Sequence, residues 1–428
     1  MSRRATKKSS SFDLKEPKKP NAPYEAKALR APKEPKAIRA PKEPKAIRAP
    51  KEAKAIRAPK KPALEKGPLA TLTPLGSDPV AVIILAAGQG KRLKSARPKV
   101  LHELMGRALL DHVLHAASFL SPSLIVVVTG VGAEMVEAAA PKWPNLVFVR
   151  QERQLGTGHA TLTAAAALAD FLGPCVIIPG DVPLISPQTL LDLLAAHKAL
   201  GADLSCLTVS VDDAAAYGRI VRDQDGWLLK IVEAKDATEA EAHILEINTG
   251  VYVIEAKPLF SALKALKPNN VQGEYYLTDV VAEFRARGLT AAAVMSPDPD
   301  EAVGVNDRLD LARAQAILRS KINASWLLAG VTMADPATTY IEAAVRLSPD
   351  VTLGPGVVLT GATKVESGAV VGPYVCLKDV WVGPGVVLAP GQSWTKARIF
   401  RENQTPNLLV SFGRRRRVRH LNHKHGKR

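Results

Sequence analysis

Cysteine is scarce, and the placement of the few present excludes more than their number does. Cys175, Cys206 and Cys376 stand singly along the 428 residues, so none has metal-ligand or redox-pair spacing. They are expected to be small buried apolar side chains in a reducing cytoplasm. No apolar run reaches the length of a membrane span. Residues 1–20 are charged and lack an apolar centre, so no secretory leader is expected. Acidic residues are missing from the C-terminal end, where residues 403–428 carry eight Lys/Arg and no Asp or Glu. Residues 1–79 hold 21 basic and 8 acidic residues. Of the net charge of +17, the stretch 80–402 contributes only −4, so the basicity belongs to the ends.

What is present divides the chain. A length of 428 residues predicts more than one domain. The first 79 residues contain a nine-residue repeat: YEAKALRAP at Tyr24–Pro32, KEPKAIRAP at Lys33–Pro41 and Lys42–Pro50, and KEAKAIRAP at Lys51–Pro59. Each unit has one aliphatic residue and ends in proline. That is too little apolar surface to offset chain ordering, and proline prevents a continuous helix. A disordered basic segment is expected. Its evenly spaced cations suit a polyanion, either nucleic acid or an anionic surface, and they equally suit a solvated extension. The tail at 403–428, with Arg414–Arg417, reads the same way; His420, His423 and His425 sit among too many cations to favour a metal tract.

The chain is organised around Val80–Leu104, VAVIILAAGQGKRLKSARPKVLHEL. Val80–Leu85 reads as a buried strand of a parallel sheet. It breaks into Ala86, Ala87, Gly88, Gln89 and Gly90, where the lack of bulk lets a ligand approach backbone N–H groups. Lys91, Arg92 and Lys99 then supply positive charge, as nucleotide phosphates require. Leu93 stands where a dinucleotide fingerprint needs its third glycine, and no G-K-[ST] closes a P-loop. The alternative is a strand-to-helix turn whose cations face water.

From Val80 to about residue 322, apolar runs alternate with helical patterns. Leu124–Thr129, Leu146–Val149, Val176–Ile178, Leu204–Val209 and Val251–Ile254 read as strands. Leu109–Phe119, Thr161–Phe171, Pro187–Leu200 and Asp307–Arg319 read as helices. This predicts an α/β, Rossmann-like domain with a mostly parallel sheet and ligands beyond the carboxyl ends of its strands. Asp181 follows one strand, and Asn306 precedes the last helix. Such hard oxygen ligands suit Mg²⁺; they suit equally a turn cap at Asp181 and a helix N-cap at Asn306.

LAAGQGKRLKSARPKVLHEL resembles the signature loop of the sugar-1-phosphate nucleotidyltransferases, and its PKVLH ending resembles the bacterial N-acetylglucosamine-1-phosphate uridyltransferases. QLGTGHA (Gln154–Ala160), GDVPLIS (Gly180–Ser186), YGRIVRD (Tyr217–Asp223), IVEAKDA (Ile231–Ala237), EINTGVYV (Glu246–Val253), NNVQGEYYLTD (Asn269–Asp279) and GVNDRLDLARA (Gly304–Ala314) follow in the family's order. The resemblance implies uridylyl transfer from UTP to N-acetylglucosamine-1-phosphate, giving UDP-N-acetylglucosamine and pyrophosphate. It implies nucleotide contacts at Leu85, Ala86, Ala87, Gly88, Gln151, Gly156 and Thr157, and sugar contacts at Gly218, Glu233 and Asn248, with Thr249 beside them. It implies Mg²⁺ on Asp181 and Asn306, and catalytic cations at Arg92 and Lys99. Pro179 stands where the family usually has Tyr, and Lys91 where it commonly has Thr.

In 323–402, Leu327–Pro336 resembles the family's entry into its second domain. A six-residue period follows: Val345, Val351, Val357, Thr363, Ala369 and Val375, with Leu347, Leu353, Leu359, Val365, Val371 and Leu377 two residues on. After Asp379 the register slips by one. Such hexapeptide repeats predict a short left-handed parallel β-helix, counted from the sequence as fewer than three coils. The family's acetyltransferase segment and its catalytic His have no counterpart, so acetyl transfer is not expected, and the short helix is expected to associate subunits as a homo-oligomer. Two other functions stay in view. One is a related uridylyl- or thymidylyltransferase with another sugar phosphate, against which EINTG and QGEYYLTD argue. The other is a polyanion-binding protein on a transferase scaffold.

Overall fold

The computed structural model describes residues 79–140, 143, 145–214 and 216–401. The chain divides into two units, Met1–Thr73 and Pro74–Arg428, and all described residues belong to the second. The expectations for the basic ends lie outside the described residues.

Strand β1 (Ala81–Ala86) is central because both of its faces are apolar. Ala81 and Ile83 enter one hydrophobic cluster, and Val82, Ile84 and Ala86 enter another on the opposite side of the sheet, as the two-residue period of a strand dictates. Further strands are β2 (Leu124–Thr129), β3 (Leu146–Arg150), β4 (Pro174–Pro179), β5 (Leu204–Ser210), β6 (Arg219–Arg222), β7 (Leu228–Val232), β8 (Glu246–Glu255) and β9 (Ala291–Met295). The main sheet runs β9-β5-β8-β4-β1-β2-β3, with the β6–β7 ribbon attached through β8. β1 pairs in parallel with β2 and β4, as do β2 with β3 and β5 with β9.

Three expectations need correction. β8 is longer than Val251–Ile254 and antiparallel to both β4 and β5. A strand covered on both faces has the same composition in either direction. Its register shifts between Asn248 and Tyr252, around Gly250 at φ +80°, a bulge that re-aims a side chain. The helix expected at Thr161–Phe171 starts at Thr157, ends at Thr163 and tightens into a 3-10 turn at Ala164–Ala166, where alanines allow the chain to lie close to the core. The last helix runs Arg308–Leu328, beyond Arg319, because Ile322 and Trp326 pack on the apolar core of the C-terminal region.

That region consists of three four-stranded parallel sheets built from strands of two or three residues, the arrangement a β-helix requires. Tyr340 stands beside Val358 and Val358 beside Cys376, a step of 18 residues. Past Asp379, at φ +56°, Cys376 stands beside Ser393, a step of 17. Both rows of the six-residue pattern are buried. The sequence count of under three coils falls short. Thr332 pairs with Thr352, a step of 20 residues that hides an extra first coil whose Val331, Met333 and Ile341 are also buried. Cys376 is a further correction: it lies on the outward row and is exposed, whereas Cys175 and Cys206 are buried. Burial pushes the Cys175 thiol up to about 12, away from the thiolate form. Among the described residues no helix is long and apolar enough to cross a membrane.

Candidate active site

A cleft of about 570 Å³ opens where the carboxyl ends of β1 and β4 meet the loops after β3, β7 and the helix Ala256–Ala265. Leu85, Ala86, Ala87, Gly88, Lys99, Gln151, Gly156, Thr157, Asp181, Glu233 and Asn248 line it. Eleven of the fourteen positions singled out for nucleotide, sugar, metal and catalysis thus share one wall. Gly218 supports it from behind: its carbonyl accepts the Asn248 N–H at 2.8 Å, and a Cβ there would lie 3.6 Å from Glu233 Oε2. Asn306 is tied in through Lys99, whose Nζ donates to Asn306 Oδ1 at 2.8 Å. Arg92 is different: it lies exposed on the 3-10 turn Lys91–Leu93, anchored by buried Leu93. Lys91 lines the cleft instead.

Glycine works in two distinct ways in this wall. A Cβ on Gly88 would meet nothing within 4 Å, so no neighbour demands glycine there and the space belongs to the cleft. Gly156 is required by the fold. Its φ is +106°, and a Cβ would sit 2.5 Å from the Tyr275 carbonyl oxygen. That approach is stapled by Gly158 N–H donating to Tyr275 O and Tyr275 N–H donating to Leu155 O, both at 2.8 Å. The segment Glu274–Thr278 is thereby laid across the cleft, and Leu277 N–H donates to Thr157 Oγ1 at 3.0 Å.

Polar groups point inward with capacity left for a ligand. Gln151 donates Nε2 to Gly156 O at 3.1 Å and faces His159 Nδ1 at 2.9 Å, which leaves its Oε1 to accept. The Asn248 Oδ1 takes Gly250 N–H at 2.8 Å, Tyr252 O–H at 3.0 Å and Cys206 Sγ at 3.3 Å, which leaves Nδ2 as the donor for a ligand. Thr249 faces away: it is buried, and its hydroxyl donates to Leu207 O at 2.8 Å. Glu233 accepts from Thr278 Oγ1 at 3.1 Å. Burial, with Asp279 and Asp236 nearby, pushes its carboxyl above the ordinary 4.5.

That upward shift carries a stability sign. A carboxyl whose folded pKa is raised costs stability once pH exceeds the ordinary value, and the cost fades as pH falls. Glu233→Gln is therefore expected to melt above the native chain at neutral pH, with the gap narrowing as pH falls toward 4.5. Melting curves across that range test it, and a gap independent of pH would contradict it.

Around the cation position, Lys99 Nζ also forms an ion pair with Asp181 Oδ2. Val305 N–H donates to Asp181 O at 2.8 Å, which brings the loop carrying Asn306 against the loop carrying Asp181. Asn306 is not the helix cap. Asp307 is, in a capping box with Asp310, and Asp310 Oδ2 accepts the Asn306 N–H at 2.9 Å. The donor set fits a divalent cation of the Mg²⁺ type: two protein oxygens converge where a positive group already sits, with the remaining ligands left to phosphate and water. No group of three or more His, Cys, Asp or Glu that could hold a metal exists among the described residues.

Sequence reading did not single out Gln154, Tyr252, Glu274, Leu277 and Thr278, all of which line the cleft. All five lie within motifs already recognised, and membership of those motifs was the available signal.

Residues 82–275 match the profile of the MobA-like NTP transferase domain. Among curated proteins, the chain is 44% identical over 306 residues to the bifunctional protein GlmU of Streptococcus mutans serotype c, covering 72% of this chain and 66% of that protein. It is 46% identical over 311 residues to GlmU of Mycolicibacterium gilvum, covering 71% and 62%. It is 42% identical over 322 residues to GlmU of Syntrophotalea carbinolica, covering 75% and 69%. The chain thus spans about two thirds of the length of these relatives. A solved UDP-glucose pyrophosphorylase in complex with UDP-glucose superposes at a TM-score of 0.48 and 18% identity, covering 57% of this chain and 99% of that one.

Proposed function

From the premise that the chain belongs to the GlmU family of nucleotidyltransferases, we propose that it transfers uridylyl from UTP to N-acetylglucosamine-1-phosphate in the cytoplasm. The observation that carries this reading is the single cleft that gathers the glycine loop, Lys99, Asp181, Glu233 and Asn248. A phosphate oxygen of the sugar phosphate attacks the α-phosphorus of UTP, the α–β phosphoanhydride bond breaks, and pyrophosphate leaves with the bonding electrons. The nucleophile is already ionised, so no general base is required. Catalysis then rests on alignment and on neutralising the growing charge.

The backbone of Leu85–Gly88, with Gln151, Gly156 and Thr157, orients the uridine. Glu233 and the Asn248 Nδ2 hold the sugar hydroxyls and acetamido group against the Gly218 turn. Lys99 steadies the transferring phosphoryl group; Arg92, with Lys91 beside it, meets the leaving pyrophosphate. Asp181 and Asn306 would hold Mg²⁺, which when bound would neutralise phosphate charge and make the α-phosphorus more electrophilic.

We propose boundaries at 1–79, 80–322, 323–402 and 403–428. The three short-stranded sheets are read as a left-handed parallel β-helix that associates copies of the chain. Residues 244–401 contain no histidine, which supports the absence of an acetyl-transfer base from the described coils. The test is purified chain with UTP, Mg²⁺ and a panel of sugar-1-phosphates, following pyrophosphate release, with glucosamine-1-phosphate and acetyl-coenzyme A run in parallel. Release dependent on N-acetylglucosamine-1-phosphate and no coenzyme A release are expected. A preference for another sugar phosphate would overturn the substrate, and coenzyme A release would overturn the acetyl-transfer reading.

The basic ends support a second, independent role: contact with polyanions through phosphate charge. Deleting 1–74 and 413–428 is expected to leave the rate of UDP-sugar synthesis nearly unchanged while retention on duplex DNA falls sharply. Affinity of the full chain should fall steeply with salt, because counterion release drives such binding. Equal retention of both proteins at low salt would sink this role.

A further inference from the structure

We infer that Lys99 is the resident counter-ion of the cation site: in the ligand-free chain its ammonium fills the position between Asp181 and Asn306, and it keeps free divalent metal out until nucleotide phosphates draw it away. The inference rests on the reading that Asp181 and Asn306 hold the metal. It adds a property of this chain, namely that metal and nucleotide bind as a coupled pair.

The geometry carries it. Lys99 Nζ is paired with Asp181 Oδ2 and donates at 2.8 Å to Asn306 Oδ1, the same oxygens that would ligate the metal. Only 12% of the Lys99 side chain and 23% of the Asp181 side chain are exposed, so the pair is poorly screened. Asn306 Nδ2 is turned to Gly304 O at 3.5 Å, which leaves Oδ1 facing the lysine.

The backbone of Lys99 is fixed by its neighbours. Val100 and Leu101 are buried in the same 3-10 turn, and Gly90 lies so close that a Cβ there would be 2.7 Å from Lys99 Cβ. Lys99 shares the cleft wall with Gly88, Lys91 and Thr157, so rotation of its four-carbon stem would carry the ammonium toward bound phosphates.

Charge balance sets the order of binding. Carboxylate and ammonium together are neutral. Adding a dication to that pair places like charges side by side with only two protein oxygens to hold them. A triphosphate reverses this, because it gives the ammonium a new partner and supplies the metal with its missing ligands. Linkage then requires that metal tighten nucleotide binding by the factor by which nucleotide tightens metal binding.

The test uses Mn²⁺ alone as the probe, without nucleotide or turnover, titrated by electron paramagnetic resonance into the full chain and into Lys99→Met, Lys99→Gln and Asp181→Asn. Melting curves of each variant with and without Mn²⁺ are recorded as a second readout. The wild type is expected to bind Mn²⁺ weakly. Lys99→Met and Lys99→Gln should bind at least about tenfold tighter and gain a Mn²⁺-dependent rise in melting temperature that the wild type lacks. Equal affinity in wild type and both Lys99 variants, with loss in Asp181→Asn, would overturn the counter-ion role while leaving the cation site standing. Mn²⁺ binding unaffected by Asp181→Asn would overturn the cation site itself, and the inference with it.

Discussion

Asp181→Ala is expected to lower turnover by about 10³-fold or more, with the native fold retained. Asp181 lies in the loop after β4 with its carboxylate in the cleft, so its loss leaves no apolar cavity. What it removes is the carboxylate proposed to hold the cation and the ion-pair partner of Lys99. Asn306→Ala should behave alike, since Asp307 and Asp310, not Asn306, cap the helix Arg308–Leu328. Steady-state rates at saturating Mg²⁺ check both variants. Either variant within about tenfold of the native rate would contradict the metal assignment, because a cation that neutralises the phosphates is worth several kcal/mol of barrier.

Gly156→Ala is expected to cost about 3 kcal/mol or more of stability and to abolish UTP binding. The residue sits at φ +106° and ψ 175°, a region essentially closed to side chains. A methyl there would meet the Tyr275 oxygen at 2.5 Å and its nitrogen at 2.9 Å. Both are backbone atoms held by hydrogen bonds to Gly158 and Leu155, so neither can yield cheaply. Gly88→Ala is the informative contrast. Nothing lies within 4 Å of the point its methyl would occupy, so the chain should melt as before while nucleotide binding weakens, because the methyl enters the space the ligand needs. Thermal melts and UTP titrations separate the two. A Gly156→Ala chain that melts like the native one would contradict the packing argument.

These cases show what a sequence can convey. β1 was legible because both of its faces meet apolar clusters, which leaves an unbroken run of Val, Ile and Leu. The rows of the six-residue pattern were legible because inward residues recur at a fixed spacing, and even the slip at Asp379 could be read. The first coil was not, since the step from Thr332 to Thr352 breaks that spacing. The direction of β8 was hidden because burial on both faces erases the difference between parallel and antiparallel strands. Its bulge at Gly250, which aims Asn248, depends on pairing with Thr208 and Cys206 of β5. The contact of Lys99 with Asn306 joins residues 207 positions apart and is a product of the fold, as is the approach of Tyr275 to Gly156. The motifs therefore named the parts of the site, and the sheet determined which of them meet.

The proposed reaction is uridylyl transfer at the α-phosphorus of UTP in the cleft between the glycine loop and Asp181. The most direct measurement follows UTP labelled at the α-phosphate, and separately at the γ-phosphate, during turnover with N-acetylglucosamine-1-phosphate and Mg²⁺. The α-label is expected in the UDP-sugar and the γ-label in pyrophosphate, both lost in Asp181→Ala. Appearance of γ-label on the sugar, or release of α-label as free UMP without a sugar nucleotide, would contradict it.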